Sequence, residues 1–327
     1  MSVLRERPTE DADYFETLAT LSEGSVHIHF DPYEDIDWTV PVDLDDPRWV
    51  LDSEADPLGA HPWYQAQPLA DQIRIGRVRF MNAIRTGAVF ETLLVRSMMH
   101  YVTQLENFDP QFRYCLHEMT EECNHIQMFQ QLVNTVGEDV QGPHKHFRRI
   151  LPTVAFVMGH TPMLFMFTIL AGEEPIDHYQ KAVIRGDGDA PELVQRAVQI
   201  HIAEEARHIS FADAWLRLNL PRVNPAKRFA MSLYFPLALR IGANEIIIPP
   251  YREMARVGVP KSVYIDAFLT GSKANELMAG YFNDMRRLAS DTRLINPASK
   301  WLWKRLGIWG APSRYRGEPD RRATLTD

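Results

Sequence analysis

The chain has 327 residues, 45% of them hydrophobic and 24% charged, which is enough apolar material for one large domain or two ordinary ones. A net charge of −8 provides no basic field for nucleic acid. The two cysteines, Cys115 and Cys123, are separated by about 12 Å along one predicted helix, too far for a disulfide. This fits a reduced, cytoplasmic protein, and nothing at the N-terminus reads as a signal peptide.

Residues 1–65 are rich in Pro, Asp and Trp, with Val26-His-Ile-His-Phe30 the sole strand-like alternation. They are predicted to form an irregular, mostly extended arm. Helical periodicity starts near Ala66 and runs to Arg85, and Gly87 marks a break. A second helix follows from Ala88 to Glu106, with Leu93, Leu94, Met98, Tyr101 and Val102 apolar and Glu91 its early acid. The third helix is punctuated by Asp109 as N-cap, Pro110 in the first turn and Gly137 as stop.

A fourth helix is predicted over Thr153–Glu173. Thr153 to Gly172 has no formal charge and the length of a membrane span. Its His160, Pro162, three threonines and two glycines instead favour a helix wrapped by other helices, which is also apolar all round. Pro175 disfavours helical angles at Glu174, predicting a kink or terminus there. A short helix, Ile176–Arg185, is closed by Gly186-Asp187-Gly188. Asp189 then caps a helix that carries His201, Glu205 and His208 and ends before Pro221. Further helical segments are expected at 225–257, 260–289 and 296–308. The expectation is an all-α protein, a helical domain over 66–310, with a polar C-terminal tail over 311–327.

Two of these helices carry Glu-x-x-His, as Glu122-Cys-Asn-His125 and Glu205-Ala-Arg-His208. On a helix, residues three apart stand about 60° apart, four apart about 40° and seven apart about 20°. Glu122 and His125 therefore share one face, and His201, Glu205 and His208 share another. Two such helices, with one Glu from each of two more, hold a pair of iron or manganese ions in helical bundles. Glu91 supplies the third helix. Glu118 and Glu121 compete with Glu122, whose relation to His125 matches that of Glu205 to His208. On the fourth helix, periodicity leaves Glu173 and Glu174 open. Four carboxylates balance two divalent cations, and neutral imidazoles suit iron.

At these residues the chain resembles the p-aminobenzoate N-oxygenase family of diiron proteins. The matching pieces are Ala88-Val-Phe-Glu91, Glu121-Glu-Cys-Asn-His125, Gly172-Glu-Glu-Pro175 and His201-Ile-Ala-Glu-Glu-Ala-Arg-His208, within a likeness spanning about 70 to 290. The resemblance implies a ferritin-like helical bundle with additional helices, working as a homodimer. It implies a metal set of Glu91, Glu122, His125, Glu174, His201, Glu205 and His208, with Glu174 preferred to Glu173. Glu122 and Glu205 would bridge, Glu91 and His125 would face one metal, and Glu174, His201 and His208 the other. Two Fe ions are implied, with Mn or a mixed Mn/Fe pair as the alternative. O2 would be the co-substrate, a small-molecule amine the substrate, and an external donor the source of electrons. The implied reaction is N-oxygenation of an arylamine to hydroxylamine, nitroso or nitro products. A C–H hydroxylase or desaturase, or a non-catalytic metal-binding bundle, are the other readings of the same ligands.

Overall fold

Tyr14, Leu18, Ser22 and Ser25 recur about one turn apart and are buried along α1 (Ala12–His27), so the segment expected to be extended is partly helical. Its inward face is half serine, which weakens the apolar periodicity that would have marked it. The computed structural model describes residues 11–185 and 190–314. After α1 the chain is irregular, apart from a 3-10 turn at Pro47–Trp49, up to the short α2 (Pro62–Gln65). Among the described residues there is no strand, including at Val26–Phe30.

The two helices expected on either side of Gly87 are one, α3 (Leu69–Val102). A Cβ on Gly87 would lie 3.1 Å from the Phe129 ring and 3.2 Å from Ile176. The glycine thus admits neighbouring helices rather than ending its own. α4 (Pro110–Val136) follows its punctuation: the Asp109 side chain accepts from the Gln111 N–H, and Gly137 closes the helix at φ 78°. Left-handed angles of this kind suit glycine.

The predicted fourth helix is two. α5 (Lys145–Gly159) ends at His160, and α6 (Pro162–Arg185) begins after Thr161, because Pro162 keeps the residue before it out of helical angles. Thr153–Gly172 is therefore not a continuous span. Pro175, by contrast, lies inside α6 without ending it. Its missing N–H and ring disturb the carbonyl four residues back, that of Ala171. There α8 (Pro225–Ile247) packs against it, and a Cβ on its Gly242 would stand 2.3 Å from the Ala171 oxygen.

α7 (Glu192–Asn219) carries the second motif; the expected glycine closure at 186–188 and the Asp189 cap lie outside the described residues. The chain continues as α9 (Tyr251–Arg256), α10 (Lys261–Ile265), a π turn at Asp266–Thr270, α11 (Ser272–Tyr281), α12 (Asn283–Asp291) and α13 (Pro297–Arg305). The stretch 225–256 is long and apolar enough by composition to cross a membrane, but half of its most apolar window is buried within the fold.

α3 packs along α4 and α6 along α7, with α4 against α7 and α3 against α6. These four helices are the bundle of a ferritin-like fold. α1 covers α4 and α7, α5 lies on α3, and α8 backs α6.

Candidate metal centre

Each bundle helix sends at least one acid into the middle: Glu91 from α3, Glu122 from α4, Glu173 from α6 and Glu205 from α7, all at most 3% exposed. His125, His201 and His208 join them, at most 1% exposed. Their ligand atoms form two groups, each with members within 4.8 Å of one another. One is Glu91, His125, His201 and Glu205; the other is Glu122, Glu173, Glu205 and His208.

Glu205 belongs to both groups. Its Oε1 lies 3.1 Å from His201 Nε2 and 3.5 Å from both His125 Nδ1 and His208 Nδ1. Glu122 also faces both sides, with Oε2 3.3 Å from His125 Nδ1 and Oε1 2.8 Å from His208 Nδ1. Yet Glu122 Oε1, His208 Nδ1 and both oxygens of Glu173 and of Glu205 are buried without a hydrogen-bond partner. At 2.8 Å without hydrogen-bond geometry, Glu122 Oε1 and His208 Nδ1 stand side by side rather than donating to one another. Buried polar atoms are ordinarily paired, and four clustered carboxylates are costly without countercharge. A donor set of carboxylate oxygen and imidazole nitrogen fits iron or manganese.

Six of the seven residues named from the sequence meet here, together with Glu173. Glu174 does not. Its Oε2 lies 3.6 Å from His178 Nε2, in a separate group with Asp284. Because α6 runs unbroken through Pro175, its register holds, and Phe165, Ile169, Gly172, Glu173 and Ile176 share one face. Glu174, about 100° further round, turns away. The division of ligands also differs from the one the resemblance implies: His201 sits with Glu91 and His125, His208 with Glu173.

The outer nitrogen of every histidine is held. His125 Nε2 lies 2.8 Å from Glu204, His208 Nε2 2.8 Å from Glu121, and His201 Nδ1 2.8 Å from Gln180 Oε1. Such partners fix ring orientation and tautomer in metal sites. The first two cross between helices, since Glu121 on α4 serves His208 on α7 and Glu204 on α7 serves His125 on α4. Arg207 stands between them, 3.0 Å from Glu121 Oε1 and 3.6 Å from Glu204 Oε1. Glu204, Gln180 and Arg207 had no place in the sequence reading, and Glu121 entered only as a rival to Glu122. The available signal was the doubled acid in Glu-Glu-x-x-His, present on both helices.

The electrostatics reflect crowding. Burial, followed by Glu122, holds the Glu91 carboxyl well above the usual range; burial and Glu205 do the same to Glu173, and burial and Glu122 raise Glu205. Glu118, one turn before Glu122, is pushed up to about 8 chiefly by burial. Burial works against ionisation of Glu122 as well, but hydrogen bonding with Glu91 and the charge of His208 hold it well below the usual range. Against the opposing effect of burial, Glu122 and Glu204 raise His125 to about 10. Glu205 and Glu122 likewise raise His208. Burial and the neighbouring His125 hold His201 well below the usual histidine range. In the protein alone, the ligands share protons where cations would otherwise balance the charge.

Beside the centre, between α3 and α6, lies a narrow cavity open to solvent, with about 410 Å³ of empty space when the solvent at its mouth is included. Glu91 and Glu173 border it, one from each ligand group, and Phe90, Leu93, Leu94, Phe165, Ile169 and Ile176 form its apolar wall.

The chain is similar to known proteins. An uncharacterised protein of Mycobacterium bovis and one of Mycobacterium tuberculosis are each 47% identical to the chain over 315 residues, covering 95% of it and 92% of their own length. The profile of the family described as p-aminobenzoate N-oxygenase AurF, a diiron-dependent, all-helical family, matches residues 11–293. The chain belongs to the p-aminobenzoate N-oxygenase family.

Proposed function

We propose that the chain is a di-metal oxygenase that uses O2 to oxidise the nitrogen of an amine, with electrons from an external donor. Glu91, His125 and His201 would hold one ion, and Glu173 and His208 the other, with Glu122 and Glu205 shared. The observation that carries this reading is Glu205 Oε1, within 3.5 Å of a nitrogen on each of three histidines, while both Glu205 oxygens lack a hydrogen-bond partner. Two ferrous ions bound there would supply reducing electrons and a Lewis-acidic site for O2.

The protein's own groups prepare that site. Glu204 and Glu121 accept from the outer N–H of His125 and His208, leaving the inner nitrogens to donate lone pairs once their protons depart. The four inner carboxylates neutralise two divalent charges, so the filled centre adds no net charge to the interior. The apolar wall lines the side on which an organic substrate approaches, and Glu91 and Glu173 bring that side to both ions.

Anaerobic loading with ferrous iron should give two ions per chain. Admission of O2 with an arylamine and a reductant should then yield the hydroxylamine or its further oxidation products. Uptake well beyond two ions would favour storage, and oxidation of carbon rather than nitrogen would favour a hydroxylase. Absence of any bound iron would refute the reading.

A further inference from the structure

From the cavity beside Glu91 and Glu173 we infer that the substrate is an uncharged, apolar arylamine, not one bearing a carboxylate. The inference rests on the oxygenase reading for its chemistry, but its binding claim comes from the cavity alone. Among the described residues, four polar side chains border that space: Glu91, Ser97, Thr168 and Glu173. Two are acids. The other two hydroxyls are engaged within the protein, Ser97 with the Leu93 carbonyl at 2.8 Å and Thr168 with the Leu164 carbonyl at 2.8 Å, with Met158 Sδ at 3.3 Å and the Tyr234 hydroxyl at 3.5 Å beside it. The two carbonyl bonds turn back onto the preceding helical turn, and the surrounding helices use their own N–H groups. Among the described residues, the wall therefore offers hydrocarbon, two hydroxyls turned to their own helices and the two acids assigned to the ions, with no Lys, Arg or His.

The arginines near Glu91 in sequence do not change this. Arg77 bonds Glu138 at 2.8 Å, Arg79 is buried against Asp56 at 3.0 Å, and Arg96 is exposed. None of them, nor Arg85, borders the cavity. A benzoate entering here would bury its charge beside two acids with no basic side chain to receive it. An alkylamine, protonated at neutral pH, would lack a nucleophilic lone pair. An arylamine is neutral because its lone pair is shared with the ring, and its flat hydrocarbon body matches Phe90, Phe165 and Ile169. The absence of a basic side chain thus selects within the amines.

Calorimetric titration of the full chain, with and without ferrous iron and in the absence of O2, tests this with p-toluidine and p-aminobenzoate as probes. p-Toluidine should bind more than about tenfold tighter, as expected when a charge must be stripped of water. Gly172→Leu should abolish p-toluidine binding while leaving the iron content unchanged, because a Cβ there already lies 3.1 Å from the Phe90 ring. Thr168→Arg should narrow or reverse the preference. Equal or tighter binding of p-aminobenzoate, no saturable binding of p-toluidine, or Gly172→Leu binding as well as wild type would each overturn the inference. Failure of the di-metal reading would appear separately, as missing iron, with the preference in the metal-free protein still measurable. The wild-type comparison stands even if a variant does not fold.

Discussion

Replacing Glu205 by Gln should raise the stability of the metal-free protein and abolish its response to metal. The residue is fully buried, so its carboxyl must either stay charged against Glu122 or take up a proton. Protonating an ordinary Glu at pH 7 costs about 3.7 kcal/mol, from a reference pKa near 4.3 and about 1.36 kcal/mol per unit. That is the ceiling on what the neutral isostere recovers; the loss of attraction to His208 and His125 reduces it. With about 2.1 cal/mol/K of unfolding entropy per residue, 327 residues convert each kcal/mol into about 1.5 °C. Metal-free Glu205→Gln should therefore melt up to about 5 °C above wild type. Free metal at about 100 times its Kd stabilises by about 2.7 kcal/mol per ion, so two ions should raise the wild-type Tm by about 8 °C. The variant, lacking the shared ligand, should gain little. Differential scanning calorimetry with and without ferrous iron under anaerobic conditions reads both effects. A metal-free variant less stable than wild type, or one that retains the full metal-induced shift, would refute the shared-ligand geometry.

Exchanging the neighbouring acids should separate their roles: Glu173→Ala should cut bound iron from two ions per chain towards one, whereas Glu174→Ala should leave it at two by metal analysis. Glu204→Gln, which weakens the hold on His125, should lower metal affinity about 10- to 100-fold, measurable by competition with a chelator. The metal-free protein should lose stability as pH rises. Glu118 is pushed up to about 8 and His125 to about 10, so the folded state holds more protons than the unfolded chain, from about pH 4.5 for the acid and 6.5 for the histidine. The slope of stability with pH is then negative. Because metal binding releases those protons, the metal-induced gain in Tm should grow across the same range; a metal-free Tm that rises from pH 6.5 to 8 would contradict the buried-proton account.

Where the sequence was legible, the cause was local. Asp109, Pro110 and Gly137 act on their own backbone, and α4 begins and ends where they stand. Glu122 with His125, and Glu205 with His208, follow from the turn of a single helix. The differences arise where a residue's meaning depends on a neighbouring helix. Gly87 and a helix-breaking glycine look alike until Phe129 and Ile176 come within contact distance. Pro175 was expected to disturb the register that separates Glu173 from Glu174, but it is accommodated inside α6, with Gly242 of α8 beside the carbonyl it disturbs. α1 was obscured because Ser22 and Ser25 occupy half of its buried face. Glu121 and Glu204 serve histidines on the opposite helix, a relation that no spacing within one helix can reveal.

That crossing explains why the two motifs share a doubled acid. In Glu121-Glu122-x-x-His125 and Glu204-Glu205-x-x-His208, the second acid faces the centre and the first reaches the imidazole of the partner helix. Each histidine is thereby tied to both α4 and α7, so a shift of one helix along the other would break the outer bonds and misdirect the inner nitrogens together. Arg207 adds a third tie. It lies within 3.6 Å of both outer acids and donates to the Ile28 carbonyl at 3.0 Å, while the Phe30 N–H reaches Glu204 at 3.3 Å. The chain just beyond α1 is thus part of the support for the centre, although its sequence carries no ligand. Precision at the inner carboxylates is set by a charged layer outside them, where one arginine restrains two acids that would otherwise repel.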